Sequence, residues 1–320
     1  MSVNTLHPSF ALNGIAPLPH LGVIRAAGAD AASFLHNQLT NDVLLMKDGQ
    51  CRLAAYCNAK GRMHASFVVY KRSAEELLLI GRQDLLAQTV KRLSMFVLRA
   101  KVKLTDATAD FQLLGLAGDA LSAALGSVAP AALAPWQRIA LNVGEQMADV
   151  LTLYPALNQA RGLWIAPNGV ASPTGPALSV EQWQVGEVMS GIAWVEQATF
   201  EAFVPQMLNY ESVGGVNFKK GCYPGQEVVA RSQFRGTLKR RMARVFSAQA
   251  LQAGQAVFTP TDPEQPCATV VQSAARPDGS GFDALVSGTL ESMASGWRAG
   301  SAQGEALTLL PLPYPLLEDI

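Results

Sequence analysis

Cysteine and histidine are scarce in this chain of 320 residues, which contains four of each. The cysteines form no Cys-x-x-Cys pair and no disulfide-like framework, and the histidines lie scattered away from them. These gaps argue against a zinc site with the usual ligand spacing and against a disulfide-stapled secreted domain. We therefore expect a cytoplasmic protein with reduced thiols and no metal site, in which Cys51, Cys57 and Cys267 are structural.

Charge is also sparse, because charged residues make up only 16% of the chain and the formal net charge is zero. A neutral protein has no global field to draw it to nucleic acid or to an anionic membrane, so any such attraction must be local. Residues 1–10 lack the basic and apolar blocks of a signal peptide. The most bilayer-like stretch, residues 113–136, is interrupted by Asp119 and by glycine and proline. We expect neither a signal peptide nor a membrane span.

Apolar residues are abundant, at 49%, and the chain is longer than a single typical core requires. We predict an α+β domain over 1–110 and a second α+β domain over 111–200 that interleaves with it. A functional loop and helix follow over 201–237. Short strand candidates separated by turn residues then predict a small β-barrel over 238–320, without a helix. Hairpin signals favour mainly antiparallel sheets over a doubly wound parallel sheet.

Three local patterns make sharper predictions. Ser179, followed three residues later by Gln182, is a capping-box pattern and predicts a helix that ends near Gly191. Residues 156–176, which contain several glycines and prolines, are predicted to form a loop. Asp30 is predicted to cap an earlier helix.

The most unusual stretch runs from Lys219 to Arg235 and places Cys222 just ahead of a predicted helix that follows Pro224. Unpaired backbone N–H groups at a helix N-terminus, and two preceding lysines, both favour a thiolate over a thiol. We therefore predict Cys222 as the essential, catalytic thiol. The alternative is a small buried apolar residue. Gly221 and Gly225 favour the first interpretation, since glycine permits tight turns and the close approach of a ligand.

This stretch also carries a family resemblance. The run Lys220-Gly221-Cys222-Tyr223-Pro224-Gly225-Gln226-Glu227, followed by Val-Val-Ala-Arg, resembles the signature of the bacterial YgfZ family of folate-binding proteins. That family is related to the T-protein (aminomethyltransferase) of glycine cleavage and includes mitochondrial iron–sulfur assembly factors. The resemblance extends over nearly the whole chain, from Gly28 to Tyr314. It implies a T-protein-like assembly of two α+β domains and a C-terminal β-barrel around a central folate cavity.

The resemblance also implies which residues hold the folate. Trp183 occupies the place of a ligand-contacting tryptophan, with core packing as the alternative. Leu21 occupies the place of a second one, so that one stacking surface is reduced to an aliphatic side chain. Further cofactor-binding residues are expected in the motif and after it: Tyr223, Gln226, Glu227, Arg231 and Arg235. The implied cofactor is tetrahydrofolate or a one-carbon derivative, whose ring needs a flat apolar wall and whose glutamate tail needs cations.

The T-protein reaction depends on carboxylates that this sequence lacks at the matching positions. His64 and Ala65 stand where the T-protein has an acidic pair, and Met189 stands where its helix carries a pterin-contacting glutamate. Without a fixed negative charge the cationic transition state loses its electrostatic partner, so we expect aminomethyl transfer to be lost. Glu187 would compensate in part only if its face of the helix turns inward. Whether the protein catalyses any reaction stays open.

Basic residues cluster over 219–244, where eight lysines and arginines accompany one glutamate, so that eight minus one leaves +7. The functional interpretation is an anion site for a polyglutamate tail, a phosphate or a tRNA backbone. The alternative is a solvated rim. We favour the anion site for Arg231 and Arg235, and the rim for Lys239 and Arg240.

The leading hypothesis is a tetrahydrofolate-binding accessory protein that assembles or repairs iron–sulfur clusters in client enzymes and acts through Cys222. By the resemblance, the clients include enzymes that thiomethylate tRNA. A single thiol cannot supply the four ligands of a cubane cluster, which disfavours stable cluster storage by a monomer, the expected state. Two alternatives stay open: a folate-dependent aminomethyltransferase, and a tRNA-binding module that uses the basic segment.

Overall fold

Three β-sheets organise the chain in a computed structural model, which describes residues 10–126, 134–234 and 238–317. The described chain begins with strand β1 (Gly14–Pro17), which belongs to the second sheet. It then builds the whole first sheet before it returns to the second. The first two parts of the molecule are therefore interleaved along the sequence.

The first sheet is antiparallel and consists of four largely apolar strands and a short polar one, β6. These are β2 (Leu21–Ala27), β3 (Cys51–Cys57), β4 (Met63–Ser73), β5 (Glu76–Arg82) and β6 (Lys103–Asp106). They pair in the order β3-β4-β5-β2-β6. Helix α1 (Ala31–His36) follows β2, and α2 (Gln83–Ser94) packs on β2, β5 and β6 with Leu85, Leu86 and Leu93 buried.

The helix-cap prediction for Asp30 is wrong. Asp30 occupies the N-cap position of α1 but makes no side-chain bond to that helix. Its carboxylate instead accepts a hydrogen bond from the backbone N–H of Lys101, at 2.7 Å. A tertiary partner has replaced the local one, which the spacing of residues in the sequence does not reveal.

The second sheet contains β7 (Phe111–Ala117), β8 (Arg138–Val143), β9 (Gln146–Ala156) and β10 (Gln159–Pro167), and pairs in the order β1-β7-β10-β9-β8. Strand β10 corrects the loop predicted over 156–176, because it lies in the centre of the sheet. The ladder passes through Gly162, which pairs with Leu116 on β7 and Thr152 on β9. A Cβ at Gly162 would lie 3.1 Å from Leu121 Cδ1 on α3 (Asp119–Leu125), so this glycine permits close packing and does not break the strand.

The third sheet is a closed barrel, as the sequence predicts. Its strands are β11 (Arg240–Ser247), β12 (Ala256–Phe258), β13 (Ala268–Ala275), β14 (Phe282–Thr289), β15 (Trp297–Ala299) and β16 (Ala306–Leu310), in the order β11-β14-β13-β12-β15-β16. Pairing of β11 with β16 closes the barrel. The prediction that this part contains no helix is wrong, because the short helix α6 (Leu290–Ala294) follows β14. The sequence predicts strands over 241–246, 256–259, 268–273, 282–287 and 306–310, so β15 is the strand that it misses.

Helix α4 (Val180–Met189) lies at the junction of the second sheet and the barrel, in contact with β1, β9, β13 and β14. Its capping box is confirmed: Ser179 Oγ accepts from the Gln182 N–H, and Gln182 Oε1 accepts from the Ser179 N–H. Nearly every residue in its last two turns is buried, including Trp183 and Glu187. No helix within the described ranges is long and apolar enough to cross a membrane.

Candidate functional site

The Cys222 loop, residues 219–225, packs against the turn 58–61 of the first sheet. Cys222 is exposed, and α5 (Gln226–Phe234) begins shortly after it. Gly225 has a φ of 80°, and a Cβ there would lie 2.4 Å from the carbonyl oxygen of Asn58 and 2.6 Å from Gly61 Cα. Because only glycine fits this contact, Gly225 fixes how closely the loop approaches the sheet.

Lys220 holds the same loop from the inside. Its ammonium group donates hydrogen bonds to the carbonyl oxygen of His36, at the end of α1, and to that of Leu39, at 2.9 Å. It also lies 4.7 Å from the centre of the Tyr223 ring. Burial lowers the pKa of Lys220 to about 8, while Asp42 and Cys222 act in the opposite direction. Of the two lysines expected beside the thiol, Lys219 is therefore exposed and Lys220 buried.

An outer cleft of about 930 Å³ opens beside the Cys222 loop. The aromatic rings of Trp136, Phe218 and Phe234 line it, together with the cations Arg52 and Lys219. Amides and small residues form the rest of its wall: Asn41, Gly49, Gln50, Pro135, Gln137, Gly214, Val216 and Asn217. Aromatic walls with a few amides and cations suit a planar ligand that carries an anionic tail.

An inner cavity lies behind Trp136 and has a volume of about 20 Å³, enough for roughly one water molecule. Its polar lining consists of Arg161, Glu187 and Ser190. The remaining lining is apolar or aromatic: Leu53, Val68, Trp136, Leu153, Tyr154, Ile192 and Trp194. Trp136 lines both spaces and therefore lies where the outer cleft and the inner cavity come close to each other.

Trp136 adopts an unusual backbone conformation. Its φ is 69°, a left-handed value that is costly for a bulky residue. The indole N–H donates a hydrogen bond to the carbonyl oxygen of Val213, at 2.9 Å, and the ring centre lies 5.7 Å from that of Tyr154. The residue between the two cavities is thus strained and held by tertiary contacts.

Glu187 turns inward, the orientation that the sequence left open. Its Oε1 accepts hydrogen bonds from Trp183 Nε1, at 3.1 Å, and pairs with His20 Nε2, at 3.2 Å. Gln272 of the barrel donates to Oε2, at 3.5 Å. Burial favours the neutral acid, but the hydrogen bond and charge of His20, with Arg161 and Arg82, hold the pKa of Glu187 below its ordinary value. A buried carboxylate therefore faces the inner cavity.

Arg161, on β10, is the cation of the same cavity. Its guanidinium lies 4.3 Å from the centre of the Trp183 ring, and burial lowers its pKa to about 10, with Glu187 acting in the opposite direction. Its Nε has no hydrogen-bond partner among the described residues. A buried, unsatisfied donor of this kind is costly unless a bound group accepts from it.

The two residues predicted as stacking surfaces lie in the core. Trp183 and Leu21 are both buried, and neither belongs to the linings given for the outer cleft and the inner cavity. Trp183 packs against Gly115, where a Cβ would lie 2.5 Å from its ring. It contacts two residues that line the inner cavity, through its hydrogen bond to Glu187 and through the Arg161 guanidinium that lies over its ring.

The predicted residues after Cys222 separate into two groups. Tyr223 and Gln226 support the loop, since Tyr223 is buried under Lys220 and the Gln226 side-chain amide lies 3.5 Å from the Lys220 carbonyl oxygen. Glu227 and Arg231 form an exposed ion pair on one face of α5, at 2.5 Å. Arg235 lies outside the described residues.

The positions where the T-protein carries carboxylates have other partners in this chain. His64 Nε2 pairs with Glu201 Oε1, at 2.7 Å, and its ring stacks on Phe200. Burial, with the nearby Arg92, lowers the pKa of His64 although Glu201 opposes the shift. Met189 accepts a hydrogen bond at its sulfur from Arg244, at 2.8 Å.

The basic segment is less exposed than its linear charge suggests. Lys220, Arg241 and Arg244 are buried, and Arg241 pairs with the buried Glu211. The local excess of +7 therefore does not form one surface patch. The remaining cysteines agree with a structural role, because Cys51 and Cys57 are buried, which raises the pKa of both thiols, and Cys267 is half-buried.

The sequence reasoning missed several residues that line the two cavities. Arg161 lies in the segment 156–176, which the sequence predicts as a loop. Trp136 is the last residue of 113–136, the stretch that most resembles a membrane span. Phe218 and Phe234 flank the motif, but the sequence analysis assigns neither of them to the binding site. An aromatic residue on each side of a glycine-rich motif is the signal that could have indicated the outer cleft.

Comparison with known proteins agrees with this architecture. Residues 13–140 match the family model described as the GCVT N-terminal domain. The chain is 28% identical over 308 residues to the tRNA-modifying protein YgfZ of Photorhabdus laumondii, covering 93% of this chain and 91% of that protein. It is 32% identical over 222 residues to the protein of the same name from Klebsiella pneumoniae, covering 68% of this chain and 66% of that protein.

A solved structure shows the same fold. The glycine cleavage system aminomethyltransferase T from Bartonella henselae superposes with a TM-score of 0.65 at 15% identity, covering 94% of this chain and 86% of that one. At this identity the match supports the fold alone.

Proposed function

Because this chain belongs to the YgfZ family, related to the T-protein of glycine cleavage, we propose that it is a tetrahydrofolate-binding accessory protein. In this proposal it serves iron–sulfur cluster assembly or repair in client enzymes, including enzymes that modify tRNA, and acts through Cys222. The observation that carries the proposal is the position of the outer cleft. Phe218, Lys219 and Phe234, which flank the Cys222 motif, form part of its wall.

The lining of the cleft matches the parts of a folate. Trp136, Phe218 and Phe234 offer flat apolar surfaces for its rings, and Arg52 and Lys219 offer cations for its carboxylate tail. Deeper, Glu187 would accept hydrogen bonds from the amino edge of a pterin, and the unsatisfied Nε–H of Arg161 would donate to its carbonyl oxygen. When bound, a one-carbon derivative of tetrahydrofolate would supply a one-carbon unit carried on nitrogen, and tetrahydrofolate itself would accept one.

The names of the relatives support the part of the proposal that concerns tRNA modification. The two relatives described above are named tRNA-modifying proteins. Cys222 is exposed, so another protein can reach its sulfur, whereas Cys51 and Cys57 are closed off. An exposed thiol beside a ligand cleft suits a protein that acts on a client while it holds a cofactor.

A folate-dependent one-carbon transferase is the second candidate, because Glu187 places a buried carboxylate in the inner cavity. That carboxylate would stabilise a cationic transition state at the pterin. The assay that distinguishes the two candidates is one-carbon exchange at the level of formaldehyde with purified protein and tetrahydrofolate. A tRNA-binding module built on residues 219–244 is less favoured, since three of those cations are buried.

The proposal is tested by calorimetric titration of tetrahydrofolate into wild type, Trp183→Ala and Cys222→Ala, with each variant also introduced into a deletion strain. We expect Trp183→Ala to weaken binding, because Glu187 loses its indole partner. Cys222→Ala should bind within about twofold of wild type yet fail to restore the activity of iron–sulfur enzymes. Full restoration by Cys222→Ala would remove the thiol from the mechanism, and absence of binding by wild type would remove the folate.

A further inference from the structure

A second surface cleft, of about 800 Å³, opens where the end of β4 meets β8 and β9 of the second sheet. We call it the basic cleft, and its lining consists of Met46, Lys47, Asp48, Gly49, Lys71, Arg72, Ser73, Ala74, Arg138, Ala140 and Met147. None of these lining residues is aromatic, whereas three aromatic rings line the outer cleft. A cleft without flat apolar walls suits a flexible chain better than a planar ring.

The lining of the basic cleft carries excess positive charge. Asp149 pairs with Arg138, at 2.7 Å, and so compensates that cation. Three further cations in the lining, Lys47, Lys71 and Arg72, form no ion pair with a carboxylate of the described residues, and the lining contains one carboxylate, Asp48. Three minus one leaves +2 in a protein whose formal net charge is zero. This excess attracts anions to the cleft.

Contacts with neighbouring residues hold most of these cations in place. Lys71 Nζ donates a hydrogen bond to the carbonyl oxygen of Leu44, at 2.8 Å. The Arg72 guanidinium lies 5.1 Å from the centre of the Phe111 ring, and Arg138 Nη1 donates to the Lys71 carbonyl oxygen, at 2.8 Å. Side chains that are already ordered lose less conformational entropy when they bind an anion.

The turn 47–50 contributes to the linings of both clefts. Lys47 and Asp48 line the basic cleft, Gln50 lines the outer cleft, and Gly49 lines both. The two clefts therefore come close to each other at Gly49. The carbonyl oxygen of Gly49 accepts a hydrogen bond from the Arg138 N–H, at 3.0 Å, which ties this turn to β8.

We propose that the basic cleft binds the γ-linked glutamate chain of a polyglutamylated tetrahydrofolate held by the outer cleft. Each glutamate added to a folate brings one more carboxylate. The parts of the ligand follow one another as ring, first glutamate and further carboxylates. The protein offers aromatic walls, then Arg52 and Lys219, then the cations of the basic cleft. This inference rests on the proposed folate function and specifies the form of the cofactor that the protein prefers.

A nucleic-acid backbone is the other polyanion that a basic cleft can attract, and the observations favour the glutamate chain. Nucleic acid is held through contacts with many phosphates. The basic cleft has an excess of only +2, and Asp48 would repel a phosphate. A short anionic chain whose ring is already bound in the neighbouring cleft needs fewer contacts, because tethering raises its effective concentration.

The test is calorimetric titration of the full chain with tetrahydrofolate that carries one glutamate and with tetrahydrofolate that carries five. Wild type should bind the pentaglutamate about tenfold more tightly at low ionic strength, because the additional carboxylates meet the cations of the basic cleft. The preference should shrink at high ionic strength, since salt screens exposed charges. Equal dissociation constants for the two forms at low ionic strength would overturn the proposal.

Substitutions in the basic cleft locate the glutamate chain. Lys47→Gln combined with Lys71→Gln should abolish the preference and leave the dissociation constant of the monoglutamate within about twofold of wild type. The matched control, Lys101→Gln combined with Lys103→Gln, removes the same charge from exposed positions that line neither cleft and should keep the preference. Retention of the preference by the Lys47 and Lys71 double variant would overturn the proposal.

A variant that gains affinity covers the case in which the double variant does not fold. Asp48→Asn removes the one carboxylate of the lining from an exposed position and should strengthen pentaglutamate binding by about threefold, with no effect on the monoglutamate. Misfolding cannot produce such a gain. Unchanged or weaker pentaglutamate binding by Asp48→Asn would contradict the proposed contact.

Fluorescence anisotropy with labelled tRNA tests the competing polyanion. Binding of tRNA that is lost in the Lys47 and Lys71 double variant, together with equal binding of the two folates, would assign the basic cleft to RNA and overturn the proposal. Wild type that binds neither folate would remove the proposed function and this inference with it. Equal binding of both folates would remove this inference alone.

Discussion

Glu187 is a carboxylate with almost no exposure, yet it carries hydrogen bonds from three separate parts of the chain. His20 precedes the first sheet, Trp183 lies one turn earlier on α4, and Gln272 belongs to the barrel. A buried charge is tolerated only when it is paired and fully hydrogen-bonded. At the scale of single residues, this carboxylate therefore supports the fold and supplies the negative charge of the inner cavity.

Substitution of this carboxylate is the residue-scale prediction. Glu187→Gln keeps the shape of the side chain but removes the negative charge that acts on Arg161. We therefore expect it to lower the free energy of unfolding at pH 7 by about 3 kcal/mol. Because the folded-state pKa of Glu187 lies below its ordinary value, the contribution is present above the unfolded-state pKa and is lost as pH falls through the folded-state pKa. The difference in the free energy of unfolding between wild type and variant should therefore become smaller at acidic pH.

Urea unfolding at pH 7 and at pH 4 measures this difference. Glu227→Gln is the matched control, since Glu227 is an exposed residue of a surface ion pair and its loss should not change the midpoint measurably. A Glu187→Gln protein as stable as wild type at pH 7 would show that the carboxylate is not a structural charge.

At the scale of elements, α4 is the clearest case of local control. Its capping box joins Ser179 and Gln182 through hydrogen bonds of 3.2 and 2.9 Å. The helix then carries Trp183 and Glu187 one turn apart towards the centre of the molecule. An error in where α4 begins would rotate both side chains, so the cap also fixes the site.

The element-scale prediction follows from that cap. Ser179→Ala should destabilise the protein by about 1 kcal/mol, because the Gln182 N–H loses its acceptor. Gln182→Ala removes the reciprocal hydrogen bond and should lower the stability by less, since the bond that Ser179 accepts from the backbone N–H of residue 182 remains. Denaturant midpoints measure both variants, and Ser280→Ala, in an exposed turn of the barrel, serves as control. Equal midpoints for Ser179→Ala and Ser280→Ala would contradict a stabilising cap.

The capping box was predictable because its two residues are close in sequence and bond directly to each other. Short strand candidates separated by turn residues likewise predicted the closed barrel, and hairpin signals predicted the antiparallel sheets. Strand β10 was not predictable, because Gly162 looks like a break until Leu121 of α3 is seen packed over it. The inward turn of Glu187 was not predictable either, since His20 and Gln272 lie far from it in sequence. Local sequence patterns therefore predicted the helices and strands, whereas contacts between residues far apart in the sequence determine the geometry of the site.

At the scale of the whole molecule, Trp136 lines both the outer cleft and the inner cavity, and the inner cavity reaches Glu187 of α4. The outer cleft has a volume of about 930 Å³, and the inner cavity about 20 Å³. A fused heterocycle does not fit into the inner volume. If a pterin binds as proposed, we expect it to reach Arg161 and Glu187 only after the Trp136 side chain moves, so that Trp136 would act as a gate.

The prediction at the scale of the whole molecule concerns the substitution of Trp136. Trp136→Ala should raise the association rate constant for tetrahydrofolate about tenfold, because entry no longer waits for a conformational change. The dissociation constant should rise as well, since a stacking surface is lost. Stopped-flow fluorescence measures the rate. Trp136→Phe keeps a ring but loses the hydrogen bond to Val213, so its association rate constant should lie between those of wild type and Trp136→Ala. Identical association rates for wild type and Trp136→Ala would exclude gating.

The placement of β1 has a consequence for biosynthesis. Gly14 on β1 pairs with Ala117 on β7, so the ribosome must add about one hundred residues before this strand meets its partner. During that interval the first sheet, complete once β6 has emerged, can close while the amino-terminal segment waits unpaired. A nascent chain from which β6 has emerged and β7 has not would therefore expose β1 as an unpaired strand, and we expect chaperones that bind extended apolar segments to find it there.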